Sequence, residues 1–238
     1  MGSPSSTNGN HQCEYTLKNA SRSRSKVPLL PVMRAPLFAP DESRWLAWIM
    51  IAPEPNYVAS CRHVSAAPVF SVIYADPPWL LKGGVSMPYP MMRTVDICAL
   101  PVDTIAAADC ILFQWAIHSH LPEALEVIRA WGFTYKTVAF TWVKRTPNDT
   151  GYFLGRGYWT HSNAELCLLT TRGHPQRTGT GVRSLVVSPR REHSRKPDEV
   201  RERIVRICGD VPRVELFARR KYSGWRAWGN EIECDFIL

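Results

Sequence analysis

The apolar run Val69-Phe70-Ser71-Val72-Ile73-Tyr74-Ala75 stops abruptly at Asp76-Pro77-Pro78-Trp79. Branched and aromatic residues bounded by a double proline define a buried strand that runs into a stiff loop. In an open α/β sheet, ligands bind in the crevice beyond the carboxyl ends of the strands, so this loop is expected where chemistry is done. Each prolyl ring fixes its own φ, lacks an N–H and restrains the residue before it. The pair is therefore expected to present rigid backbone carbonyls without competing donors. Asp76 adds a carboxylate acceptor and Trp79 a large flat surface. Acceptors beside a stacking face suit a planar ring that bears an exocyclic NH2. The amino nitrogen of adenine is a poor nucleophile because its lone pair is delocalised. Hydrogen bonds from its two N–H groups to the Asp76 carboxylate and the Pro77 carbonyl would favour a pyramidal nitrogen aimed at an electrophilic methyl group.

The rest of the chain supplies the elements of an α/β domain. Residues 94–100 suit a short helix capped by Thr94, and residues 109–116 a second buried strand. Leu121, Leu125, Ile128 and Trp131 share one face of an amphipathic helix that Gly132 ends. Residues 133–144 give another strand, 165–170 a further one beginning at Glu165, and 212–218 the last. Pro197 opens a helix that reaches Cys208, with Val200, Ile204 and Ile207 at core spacing. Strand, helix, strand in this order argues for a mostly parallel sheet with crossover helices. Residues 1–66, rich in Ser, Asn, Arg and Pro, are expected to be a poorly structured extension, and 67–238 the functional domain.

Between Arg172 and Lys196 seven positive residues face a single acid, Glu192. With a net charge of +8, this points to a polyanionic partner, although charge alone does not separate nucleic acid from an anionic membrane surface. No apolar run long enough to span a bilayer is present. Seven scattered cysteines without a C-x-x-C pair read as reduced thiols of a cytoplasmic protein, and no metal site is expected.

The tetrapeptide 76–79 resembles the catalytic motif of the adenine-N6 methyltransferase family that includes the catalytic subunit of the eukaryotic mRNA adenosine methyltransferase. Phage and bacterial DNA-modifying members are similar over more of the chain: Gly157-Tyr158-Trp159-Thr160, Asn163-Ala164-Glu165-Leu166-Cys167-Leu168-Leu169, 190–200, Glu215-Leu216-Phe217-Ala218-Arg219 and Trp228-Gly229-Asn230-Glu231. The resemblance is collinear from about residue 69 to 232. It implies a Rossmann-like fold with permuted motif order that uses S-adenosylmethionine. By the same resemblance Asp76, Lys196, Glu215, Phe217, Arg219, Asn230 and Glu231 line the cofactor pocket, with Lys196 on the methionine carboxylate from a helix N-terminus. Trp79, Tyr89, Glu165, Arg191 and His193 face the acceptor base. Two departures stand out: no aspartate precedes the first strand to hold the cofactor's adenine, and Tyr222 replaces a smaller polar residue of some relatives.

The leading expectation is methylation of the amino group of adenine in DNA, with the base swung out onto Trp79. RNA as acceptor, a catalytically inactive nucleic-acid-binding member of the family, and a small-molecule acceptor are the alternatives. A homodimer is compatible with the sequence.

Overall fold

The computed structural model describes residues 68–81, 87–192 and 195–238. Expectations for residues 1–67, and for His193, lie outside the described residues.

The strands are β1 (Phe70–Ala75), β2 (Ala106–Ala116), β3 (Thr134–Arg145), β4 (Ala164–Arg172), β5 (Leu185–Pro189), β6 (Arg213–Leu216) and β7 (Arg226–Trp228). The helices are α1 (Thr94–Cys98), α2 (Leu121–Ala130) and α3 (Glu199–Cys208). The strands form one sheet in the order β5-β3-β4-β2-β1-β6-β7. β1 pairs in parallel with β2 and β6, β6 with β7, and β3 with β5, whereas β4 runs antiparallel to both β2 and β3. Six strands therefore point one way and β4 alone points the other.

That single reversal brings the chemistry together. The carboxyl ends of the six parallel strands share one edge of the sheet, so the residues at or just past those ends, Asp76, Ile117, Lys144, Arg190, Phe217 and Gly229, lie on the same side. Because β4 is reversed, its amino end reaches that edge, which places Glu165 beside Asp76 rather than a strand length away.

β1 is apolar at every position but Ser71 because both faces are covered. Ile73 and Ala75 pack with Ile97 of α1 and with Val127 and Ile128 of α2, while Val72 and Tyr74 pack on the opposite face with Val200 and Ile204 of α3. Burial on both sides is the usual lot of a parallel strand under crossover helices. α2 ends at Ala130, and Gly132, just past the Trp131 cap, takes a φ of 78° that suits a residue without a side chain. Trp131 then turns into the core, donates its indole N–H to the Ile97 carbonyl at 2.9 Å and stacks on Phe217, ring centroids 6.5 Å apart.

Several expected elements are corrected. Thr94 lies inside α1 and Arg93 takes the cap position without a side-chain cap bond. The final helix begins at Glu199, not Pro197, so Lys196 precedes it by a short non-helical segment. β5 and β7, short strands at the sheet edges, were not expected from the sequence pattern. Among the described residues no helix is long and apolar enough to cross a membrane, and no cluster of His, Cys, Asp or Glu is arranged to hold a metal ion. The thiols of Cys110 and Cys208 are pushed up to about 12 by burial.

Trp131→Ala removes a fully buried ring that props Phe217 at the end of β6. Denaturant unfolding should show a loss of about 3–5 kcal/mol, the usual range for aromatic truncation in a core; a change within experimental error would contradict this packing.

Candidate active site

A cleft of about 870 Å³ opens at the carboxyl edge of the sheet, within the range of roughly 300–1,000 Å³ typical of small-molecule and cofactor sites. Its floor is the loop after β1. The Pro77 carbonyl accepts the Trp79 N–H at 2.9 Å, and the Pro78 carbonyl accepts the Met92 N–H at 2.8 Å. The expectation of carbonyls without competing donors is thus corrected: each already accepts one N–H, which fixes its direction, and each retains a second lone pair. The Leu80 N–H donates to the Met92 carbonyl at 3.0 Å, so the two ends of the intervening loop are stitched together. His120, following β2, bonds the Leu80 carbonyl through Nε2 at 3.1 Å, and since a carbonyl only accepts, that nitrogen carries the proton.

Trp79 is only 7% exposed. Its ring packs with that of His120, centroids 6.2 Å apart, and its indole N–H has no hydrogen-bond partner among the described residues. Trp79 lines the cleft from within the core, so the expected open stacking platform is reduced to the part of the ring that the cleft reaches.

Above this floor four charges alternate in sign. Lys196 Nζ lies 2.6 Å from Asp76 Oδ2 and 3.2 Å from Glu165 Oε2, while Lys144 Nζ bonds Glu165 Oε1. The Lys196 side chain is 8% exposed, that of Glu165 13%, and Asp76 keeps 25% of its side chain open to the cleft. Burial disfavours a charged Lys196, but Asp76 and Glu165 outweigh it and hold the ammonium well above its ordinary value. Burial also pushes Glu165 upward, and the two lysines more than reverse this, leaving its carboxyl below the usual range. For Asp76 burial wins: its carboxyl is raised, with Lys196 pulling it down and Glu165 pushing it up.

Lys196 owes its position to a brace behind the cleft. Arg191 donates to the Lys196 carbonyl at 3.0 Å and to Asp198 Oδ2 at 2.6 Å. Asp198 also accepts from Arg195 at 3.0 Å, from the Tyr222 hydroxyl at 3.0 Å and from Arg201 at 3.3 Å. Arg201 lies between the Tyr222 and Tyr74 rings, 3.8 and 5.3 Å from their centroids, and forks onto Glu215 at 2.7 and 2.5 Å. Two expected roles change accordingly. Glu215 points away from the cleft into this buried ion pair, because it alternates with Val214 and Leu216, which face the other layer. Arg191 is drawn inward to Asp198 and the backbone of Lys196, and is not among the residues that line the cleft.

Phe217, Arg219, Asn230 and Glu231 come together at the opposite wall with Tyr89. Arg219 bonds Glu231 at 2.6 Å, and its guanidinium lies 5.1 Å from the Tyr89 ring centroid. Phe217 takes a φ of 60°, turning the chain from β6 into the cleft. Gly229 is required there because a Cβ would sit 2.1 Å from the Ala218 carbonyl oxygen. The remaining wall carries the segment 155–160. Tyr158 and Trp159 are 93% and 90% exposed at its tip, and Arg190 lies 4.2 Å from the Phe153 ring centroid. Lys144 and Asp198 are not singled out by the sequence pattern, and Arg190 and Arg195 stand out there only as part of the basic stretch. Lys144 carried a usable signal, a lysine at the end of an apolar strand.

The donor set fits S-adenosylmethionine. The Asp76 and Glu165 carboxylates suit a sulfonium, Lys196 offers an ammonium to a carboxylate, and Asn230 and Glu231 offer polar atoms beside the Phe217 ring.

A mixed, mostly parallel sheet with a cleft at its carboxyl edge, where the Asp76 carboxylate is paired with a buried lysine, has the architecture of a Rossmann-like S-adenosylmethionine-dependent methyltransferase. The MT-A70 family matches residues 70–231, and the chain belongs to that family of adenine-N6 methyltransferases, whose methyl donor is S-adenosylmethionine. The chain is 33% identical over 188 residues to the type II methyltransferase M.MunI of a Mycoplasma species, covering 68% of this chain and 78% of that protein. It is 32% identical over 167 residues to an N(6)-adenosine-methyltransferase MT-A70-like protein of Arabidopsis thaliana, covering 68% of this chain and 24% of the relative. The human N(6)-adenosine-methyltransferase catalytic subunit METTL3 is 28% identical over 179 residues, 74% of this chain and 30% of METTL3. The chain thus spans most of the Mycoplasma protein and under a third of the eukaryotic relatives.

The brace has a pH signature. Burial opposes ionisation of Asp198, but the bonds from Arg191 and Tyr222 and the charges of Arg191 and Arg195 lower its carboxyl from 3.8 to about 2. A depressed folded-state value contributes stability that is complete above about pH 4 and is lost as pH falls towards 2. Unfolding midpoints of Asp198→Asn should therefore lie below wild type at pH 6 and converge with it near pH 2; parallel curves would exclude this role.

Proposed function

We propose that this protein methylates the exocyclic amino group of adenine in DNA. The observation that carries the reading is the Asp76 carboxylate, aimed into the cleft from the end of β1 and held at 2.6 Å by the buried Lys196. The likeness to M.MunI, which covers most of that protein, supports a DNA-modifying enzyme. Arg156, Arg190 and Arg195 on the cleft walls and the net charge of +8 support a polyanionic acceptor.

Bound S-adenosylmethionine supplies an electrophilic methyl group on a sulfonium. Asp76 accepts one N–H of the acceptor amine and the free lone pair of the Pro77 carbonyl accepts the other, drawing the nitrogen lone pair out of conjugation. Both acceptors are held before substrate arrives, one by Lys196 and one by the Trp79 N–H, so little reorganisation opposes the reaction. Glu165 stands across Lys196 and closes the acceptor side. Tyr158 and Trp159 offer exposed rings on which a neighbouring base can stack, an interaction worth about 1–3 kcal/mol per base.

Labelled S-adenosylmethionine is incubated with adenine-containing DNA and, separately, RNA, followed by nucleoside analysis. N6-methyladenine in DNA is the expected product. Label confined to RNA would move the acceptor from DNA to RNA, and label in neither would overturn the reading. Asp76→Ala should lower turnover by about 10²–10³-fold, the scale seen when one preorganised charge-stabilising group is removed. The thermal unfolding midpoint should fall as well, because the buried Lys196 loses one of its two carboxylates, so turnover is compared at a temperature where both proteins are folded.

A further inference from the structure

Lys196 faces two carboxylates but does not share itself equally. It sits 2.6 Å from Asp76 and 3.2 Å from Glu165. The second cation, Lys144 at the end of β3, holds the other oxygen of Glu165. Two buried carboxylates with one ammonium between them would leave an uncompensated negative charge, and one of the two would take up a proton. With Lys144 present the set carries two positive and two negative charges.

We infer that Lys144 is a positioning residue: by occupying Glu165 Oε1 it leaves Lys196 to Asp76 and keeps the catalytic carboxylate ionised, able to accept hydrogen bonds from the acceptor amine. The inference rests on the reading of Asp76 as that acceptor. Lys144 touches Glu165 and lies 5.0 Å from the Trp142 ring centroid, an aromatic face that steadies its stem against the strand.

The electrostatic surroundings are compact. Glu165 meets Lys144 from β3, Lys196 from the segment before α3 and Asp76 from the loop after β1. The Cys167 thiol on β4 lies near Asp76 and Lys196. Glu215 acts on Asp76 from behind the sheet but is neutralised by Arg201. His118, Arg190 and Arg195 line the same cleft. Among these groups, Lys144 and Lys196 are the two whose ammonium groups contact Glu165.

The consequence is a charge-compensation cycle. Without Lys144, Glu165 draws Lys196 towards itself, and Asp76, already raised by burial, rises further. A carboxylate that must be ionised to work then loses function as pH falls through a higher value, so the acid limb of kcat/KM moves to higher pH.

The test compares wild type, Lys144→Met, Lys144→Arg and the double variant Lys144→Met/Glu165→Gln. The Asp76 carboxyl is followed by carbon NMR with labelled aspartate, assigned through Asp76→Asn. Lys144→Met should raise the Asp76 titration and the acid limb together by about one pH unit or more, the scale of a lost neighbouring opposite charge. Lys144→Arg should restore the wild-type position, and the double variant should restore the Asp76 titration because the competing anion is gone. An unmoved Asp76 titration in Lys144→Met, or a double variant that stays shifted, overturns the inference. Should Lys144→Met fail to fold, Lys144→Gln carries the same comparison. The NMR titration needs no nucleic acid, so its outcome is independent of which polymer is methylated.

Discussion

The contact between Lys196 and Asp76 joins residues 120 positions apart in the chain and decides what the cleft can do. A lone buried ammonium is expensive and a lone buried carboxylate equally so. Each makes the other tolerable, and together they set a preorganised anion at the end of β1. The geometry depends on elements from both halves of the domain: β1 and its double proline on one side, the Asp198 brace and α3 on the other. Removing one partner of such a pair costs about 3–5 kcal/mol, because it leaves the other uncompensated. Fold and chemistry are therefore coupled at this point more tightly than elsewhere.

The reversed β4 is the second constraint. In an all-parallel sheet the amino end of every strand lies at the edge remote from the ligand crevice. Reversing one strand between β2 and β3 brings Glu165 to the crevice while Lys144 still arrives from the carboxyl end of β3. Glu165 is registered opposite Trp142, so Lys144, two residues further along β3 on the same face, reaches it diagonally. Alternation of charge along the floor, Asp76, Lys196, Glu165, Lys144, is thus written in strand direction and spacing.

Much of this was legible in the sequence. The apolar run before Asp76 gave the strand and the loop at its end, and the spacing of Leu121, Leu125, Ile128 and Trp131 gave α2. The collinear motifs led to the MT-A70 family. Glu215 escaped because the sequence shows that Val214 and Leu216 share a face but not which layer that face meets, and the opposite layer holds Arg201. Arg191, expected to face the acceptor base, instead bonds Asp198 and the Lys196 carbonyl, partners that only the folded chain brings within reach. β5 and β7 are short edge strands whose exposed positions, Leu185 and Val187 among them, break the pattern that marks a buried strand. Thr94 and Pro197 show how a residue suited to a helix start can stand a position or two away from it.

The paired bonds between Leu80, Pro78 and Met92 carry one more implication. They fasten both feet of the segment that leaves and rejoins the floor, so its length is mechanically decoupled from the residues beneath. Doubling such a loop costs only about 0.6 kcal/mol in closure entropy. Within one architecture, insertions at this point are thermodynamically inexpensive and leave Asp76 and its neighbours in place.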